Sequence, residues 1–238
     1  MRRAIIVGGV IVIVVVISLA LAGAFRRSPA AVEVAEAVPV RPAVTIVLDP
    51  GHGGRDPGAV VGEVLEKDIN LEIVSRVKAL ADAHPDLAPV LTRELDVFVE
   101  KIDRVQLTDR VGAALYLSIH ANACNHPEAH GIETWVDDTR TSDDPSWVLA
   151  SAVQEAVVEV TAARDRGVRS QQLYMRHTTL PAASIEVGFL TCDSERAKLL
   201  DPVYQDQIAH GIVDGILTFL EACKILPVSG PAAASSDA

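Results

Sequence analysis

Residues 44–58 read VTIVLDPGHGGRDPG. The first five, VTIVL, are apolar or β-branched and describe a buried strand. The strand runs into a loop that carries four glycines and two prolines between 49 and 58. A buried strand that opens into a Gly/Pro-rich loop is where α/β folds place ligands and catalysts. His52 sits in that loop. A second histidine, His120, closes a second apolar run, LYLSIHAN at 115–122. Two imidazoles delivered by two strand ends suggest one metal ion held between them.

Outward from this stretch, strand and helix patterns alternate. Residues 68–83 place Ile69, Ile73, Val77 and Leu80 at helical spacing. APVLTR at 88–93 reads as a short strand, 98–112 as a helix and 114–120 as a third strand. GIETWV at 131–136 alternates as a fourth strand, and 147–163 is helical. LYMRH at 173–177 and ASIEVGFL at 183–190 read as further strands. Residues 204–222 form a last helix with Tyr204, Ile208, Ile212 and Ile216 on one stripe. This order predicts a single α/β domain with a mostly parallel or mixed central sheet and helices on both faces.

The ends of the 238-residue chain read differently. Residues 1–27 carry four arginines, no acid, and an uncharged stretch from Ala4 to Phe25. At about 1.5 Å per residue it is long enough for a hydrocarbon core of roughly 30 Å. The expectation is a signal anchor at 1–27, favoured on length over a cleaved signal peptide. A flexible linker at 28–43 and a disordered tail at 225–238 then flank a catalytic domain at 44–224. The chain is expected to be exported, to the periplasm or the outer face of the cytoplasmic membrane, and held there by residues 4–25. Beyond residue 27, 17 basic residues face 32 acidic ones, a net charge of −15. Nucleic-acid binding by phosphate neutralisation is excluded on that balance. Cys124, Cys192 and Cys223 form no C-x-x-C pair, so a thiolate zinc knuckle is excluded, and they read as packing residues.

A hydrolytic zinc site takes three protein ligands and leaves one position open. With His52 and His120 placed, the third should be a carboxylate at the same strand ends: Glu66 in LEKDIN, with Glu63 as competitor. Glu186 lies in the apolar strand among Ile185, Val187 and Phe189, where burial would raise its pKa and suit it to act as a general base. Each has a duller reading. A strand-end histidine can simply be hydrogen-bonded, Glu66 can favour a helix N-terminus, and Glu186 can face outward from an alternating strand. Asp49 either orients an imidazole or caps a turn. Asn122 either contacts substrate or turns the chain. Arg55 and Arg176 either meet substrate carboxylates or sit on the surface, and HPEAH at 126–130 reads as a surface loop.

Seven stretches together resemble the zinc-dependent N-acetylmuramoyl-L-alanine amidases of bacterial cell walls. They are TIVLDPGHGGRDPGA (45–59), LEKDINL (65–71), VLTRELDVFV (90–99), DRVQLTDRVGAALYLSIHANA (103–123), GIETWV (131–136), DRGVRSQQLYMRHTTLPAASIEVGFLTC (165–192) and ERAKLL (195–200). The resemblance implies one zinc ion per chain held by His52, Glu66 and His120, which decides against Glu63, and Glu186 as the catalytic glutamate. It implies peptidoglycan as substrate, hydrolysed at the amide between the lactyl group of N-acetylmuramic acid and L-alanine. Cys192 departs from the asparagine that relatives often carry there. The stretch between GIETWVDD and the helix near Trp147 is loop-sized, so the autoinhibitory helix of some septal relatives is not expected. Two other readings stay open: a non-catalytic wall-binding module of the same fold, and a zinc peptidase cutting within the stem peptide.

Overall fold

A computed structural model describes residues 42–226. The expected anchor at 1–27, most of the linker and most of the tail lie outside the described residues. Among the described residues no helix is long and apolar enough to cross a membrane.

The strands are β1 (Val44–Pro50), β2 (Val60–Val61), β3 (Val64–Leu65), β4 (Leu87–Leu91), β5 (Tyr116–Asn122), β6 (Ile132–Asp137), β7 (Asp165–Gln171) and β8 (Ala182–Phe189). The helices are α1 (Glu66–Asp82), α2 (Lys101–Val111), α3 (Pro145–Thr161), α4 (Asp193–Leu199) and α5 (Pro202–Ala222), with a 3₁₀ turn at Tyr174–His177. Six strands form one sheet in the order β4-β1-β5-β8-β6-β7, and β2 and β3 make a separate hairpin. Within the six-stranded sheet only the β6–β8 pair is antiparallel; the other four pairs are parallel. The predicted α/β class with a mostly parallel mixed sheet is what the chain adopts.

Alternation along the strands divides the core. Ile46 and Leu48 of β1, Leu117 and Ile119 of β5 and Ile185 and Val187 of β8 face α1, α3 and α5, where Ile73, Val153, Ile212 and Ile216 are fully buried. On the other face Val47 and Tyr116 pack with Val105 of α2 and Met175 of the 3₁₀ turn. The helix ends follow local chemistry. Asp144 and Asp201 cap α3 and α5 through the amides of Ser146 and Val203, each with proline in the first turn. Gly112 ends α2 in the left-handed conformation.

Two expectations need correction. LYMRH at 173–177 is no strand: Tyr174–His177 is a 3₁₀ turn whose Met175 plugs the second core. The edge strand is instead β7, DRGVRSQ, whose side chains are exposed or half-buried. An edge strand with solvent on one side needs no apolar run, so pattern reading passes over it. The helix expected from 98 begins at Lys101, because 98–100 close the loop over Gly54.

Candidate metal centre

The loop after β1 is held by two buried arginines. Arg93 donates to the carbonyls of Pro50 and Gly51, and Arg104 to those of Pro50 and His52. Arg104 also pairs with Asp49 at 2.7 Å, both buried. This clamp keeps His52 at φ 63°, a left-handed conformation that costs a non-glycine residue roughly 1–2 kcal/mol. Glycine is needed beside it. A Cβ on Gly51 would lie 2.1 Å from the His120 ring, and one on Gly58 2.5 Å from Glu66 Oε2.

His52 from the loop, Glu66 from the first turn of α1 and His120 from β5 offer one ligand atom each, all within 4.8 Å of one another. His52 Nε2 is 3.2 Å from Glu66 Oε1, and His120 Nδ1 is 2.8 Å from the same oxygen. The remaining ring nitrogens are occupied. His52 Nδ1 lies 2.8 Å from the Asp56 carboxylate. His120 Nε2 lies 3.0 Å from Ser118 Oγ, which itself donates to Asp49. Asp56 can only accept, so His52 Nδ1 carries hydrogen. Ser118 gives its own hydrogen to Asp49, so His120 Nε2 carries hydrogen too. The other nitrogen of each ring then turns a lone pair toward a carboxylate oxygen, an arrangement that only a shared proton or a cation relieves. Two ligand atoms about 2.1 Å from a tetrahedral zinc sit roughly 3.4 Å apart, near the spacing found here. The donor set therefore fits a zinc ion.

Electrostatics agree. Burial pulls the His120 pKa down, but the hydrogen bond its protonated ring donates to Glu66 and the nearby carboxylates lift it to about 9. Burial raises the Glu66 pKa, but the hydrogen bonds it accepts from the protonated rings of His120 and His52, with their charges, outweigh this and hold it well below the usual carboxylate range. Glu66 Oε2 accepts from the Ala59 amide, which fixes the carboxylate plane.

Glu186 stands beside this cluster. It is paired with His120 across β5 and β8, and with Glu133 across β6 and β8. Its Oε2 is buried with no hydrogen-bond partner among the described residues. Burial raises its pKa to about 7; the charges of His120 and His52 oppose the shift, and those of Glu66 and Glu133 support it.

The family profile described as N-acetylmuramoyl-L-alanine amidase matches residues 46–218. The chain belongs to the N-acetylmuramoyl-L-alanine amidase family. It is 38% identical over 176 residues to the amidase LytC of Bacillus subtilis, a match covering 74% of this chain but only 35% of LytC. Among solved structures, an N-acetylmuramoyl-L-alanine amidase from Clostridium difficile 630 superposes with a TM-score of 0.73 at 38% identity, covering 76% of this chain and 98% of that one. The catalytic domain of the amidase CwlV from Bacillus (Paenibacillus) polymyxa gives 0.70 at 34% identity, covering 75% and 98%.

In this chain the four residues singled out in the sequence converge, while Glu63 is absent from the cluster. Two clefts flank them. One, of 330 Å³, is lined by His52, His120, Phe98, Lys101 and Tyr174 among others. The other, of 410 Å³, is lined by Glu186, Glu133, Trp135, Arg166 and Phe189 among others. A larger hollow of 470 Å³ lies along α1 near Glu72 and Arg76 and is lined by none of the cluster residues.

Asp49 proves to be neither a direct imidazole partner nor a turn cap. It is fully buried and accepts hydrogen bonds from Thr92, Arg104, Tyr116, Ser118 and Tyr174. Asn122 donates to Glu133. Arg55 is exposed and pairs with Glu100, and Arg176 pairs with Asp137 and Asp138. The three cysteines are free thiols. Sequence reading passed over Asp56, Ser118, Arg93 and Arg104. No local pattern marked them: Asp56 lies in a Gly/Pro loop and Arg104 in a largely polar helix.

Proposed function

We propose that this chain hydrolyses the amide between the lactyl group of N-acetylmuramic acid and the L-alanine of the peptidoglycan stem peptide. His52, Glu66 and His120 hold one zinc ion, and Glu186 handles the proton. The observation that carries this reading is the convergence of two nitrogen lone pairs and one carboxylate at one point, with a buried, unpartnered carboxyl oxygen beside it. When bound, the zinc ion supplies a Lewis acid for the scissile carbonyl and lowers the pKa of water.

The chain's own groups do the rest. Asp56 and Ser118 hold the imidazoles in one tautomer, so that ligand lone pairs need not reorganise. Glu186, with its pKa near 7, accepts a proton from the attacking water. It returns that proton to the departing alanine nitrogen, without which the amine is a poor leaving group. One cleft is lined by His52 and His120 and the other by Glu186, which gives a substrate room on both sides of its scissile bond.

In the same reading the catalytic unit is residues 44–224. The chain works outside the cytoplasmic membrane, held by residues 4–25 through the linker at 28–43. The test is to incubate the full chain with purified peptidoglycan, with and without a chelator. Chelator-sensitive release of stem peptides that begin in L-alanine, leaving glycan with free lactyl groups, supports the reading. Intact sacculi would favour a binding module, and shortened peptides still on glycan a peptidase.

A further inference from the structure

The cleft on the β6–β7 side of Glu186 carries charge that the proposed proton transfer does not use. Arg166 and Arg169 of β7 both turn toward one carboxylate, Glu133 of β6. Arg166 Nε is 2.7 Å from Glu133 Oε2 and Arg169 Nη1 is 3.6 Å from it. Glu133 is buried, and its other oxygen accepts from Asn122. Each guanidinium also lies over an aromatic ring, Arg166 over Phe189 at 4.7 Å and Arg169 over Trp135 at 5.8 Å. The rings hold the planar groups in place and lower the cost of ordering them around a ligand.

Two guanidiniums sharing one carboxylate leave one positive charge in excess at the β7 edge of the cleft, with the Glu186 carboxylate at its β8 edge, in a chain with a net charge of −11. The side chains of Arg166 and Arg169 are 20% and 44% exposed, so the excess faces solvent. It lies one side chain from the proposed base, because Glu133 is directly paired with Glu186 across the sheet.

We infer that this cleft takes an acidic group of the substrate, with Arg166, backed by Arg169, determining specificity for the free α-carboxylate of the glutamate that follows L-alanine in the stem peptide. The inference rests on the amidase reading. Once the alanine nitrogen lies at Glu186, that carboxylate is about two residues further on, roughly 7 Å away. Strands stand about 4.8 Å apart, so the distance reaches past β6 to where the β7 arginines fold back. The stem peptide then crosses β6 and β7. The sugar occupies the opposite cleft, where Phe98, Val99 and Ile102 offer apolar contacts.

Amidation of that carboxylate removes its charge at almost constant shape, which supplies the probe. The zinc-loaded full chain is assayed on two N-acetylmuramoyl dipeptides, one ending in the free acid and one in the amide. Wild type should prefer the acid by about 10- to 100-fold in kcat/KM, chiefly through KM, as a charge-assisted contact implies. Arg166→Gln should bring the ratio close to one, Arg166→Lys should restore part of it, and Arg169→Gln should reduce it less. Arg166→Gln could disturb folding by leaving buried Glu133 unpaired. The double variant Arg166→Gln/Glu133→Gln removes both charges and should show the same loss of preference. Equal turnover of acid and amide by wild type, or a preference that survives Arg166→Gln, overturns the inference. If wild type cleaves neither dipeptide nor peptidoglycan, the amidase reading fails and takes the inference with it.

Discussion

Replacing Ser118 with alanine should weaken zinc binding more than replacing Asp56, although Asp56 makes the charged contact. Ser118 is fully buried, and its hydroxyl lies 3.0 Å from His120 Nε2 and 3.0 Å from Asp49 Oδ2. In Ser118→Ala no hydroxyl remains to receive the Nε2 hydrogen, and burial limits replacement by water. An unsatisfied buried donor costs about 1–3 kcal/mol, and the imidazole can recover part of that by moving its hydrogen to Nδ1, where zinc must bind. Loss of an outer partner of a metal-bound histidine generally weakens binding 10- to 100-fold. We place Ser118→Ala near the upper end, about 100-fold or roughly 2.7 kcal/mol. The Asp56 side chain is 38% exposed, so water can replace it on His52 Nδ1, and Asp56→Ala belongs near 10-fold. The assay is competitive titration of zinc between the full chain and a chelator of known affinity, with folding followed by circular dichroism. A folded Ser118→Ala chain that binds zinc within about twofold of wild type, or binds it better than Asp56→Ala does, would refute the tautomer argument.

Three further outcomes are expected. Glu186→Gln should lower kcat by about 10²- to 10⁴-fold while still binding one zinc, read by metal analysis beside the peptidoglycan assay; loss of metal along with activity would contradict its assignment as base. Because His120 holds its proton up to about pH 9, zinc must displace that proton, so apparent affinity should rise about tenfold per pH unit between 6 and 8 with proton release measurable by calorimetry; affinity independent of pH would count against His120 as a ligand. Asp49→Asn should destabilise the fold by about 3–5 kcal/mol, because it leaves Arg104 charged and buried without its partner. Burial raises the Asp49 pKa, but the Arg104 charge and the hydroxyl donors more than offset it. Its stabilising contribution is therefore present above the unfolded value near 3.8 and lost as pH falls through the lower folded value. Urea denaturation of wild type and Asp49→Asn at neutral and acidic pH should converge at the acid end.

What the sequence disclosed tracks how strongly burial marks a residue. VTIVL, LYLSIHAN and ASIEVGFL are apolar runs with a misplaced polar group, and those groups, His52 just beyond the first and His120 and Glu186 within the others, are the ones the fold brings together. Glu66 was legible as a type but not against Glu63 until the family likeness weighed in. β7 was missed because DRGVRSQ, at a sheet edge with one neighbour, needs no hydrophobic pattern. The 3₁₀ turn at Tyr174–His177 carries the aromatic and apolar composition of a strand, and only its packing under α2 and its hydroxyl contact with Asp49 decide its shape. The supporting partners Asp56, Ser118, Arg93 and Arg104 were invisible for a different reason. Arg93 and Arg104 act through contacts as distant in sequence as Arg104 and Asp49, while Asp56 and Ser118 act at short range but only once each imidazole ring is turned toward them; no local period encodes either.

The pairing of His120 with Glu186 makes one dimension of the centre a property of the sheet itself. Parallel neighbours keep a spacing of about 4.8 Å whatever the surrounding connections do. Insertions or deletions in the rims of either cleft can thus redraw which wall fragments are admitted while the hydrolytic machinery stays in calibration. A scaffold of this kind separates the evolution of appetite from the evolution of chemistry, and substrate range should diverge among such chains well before the reaction does.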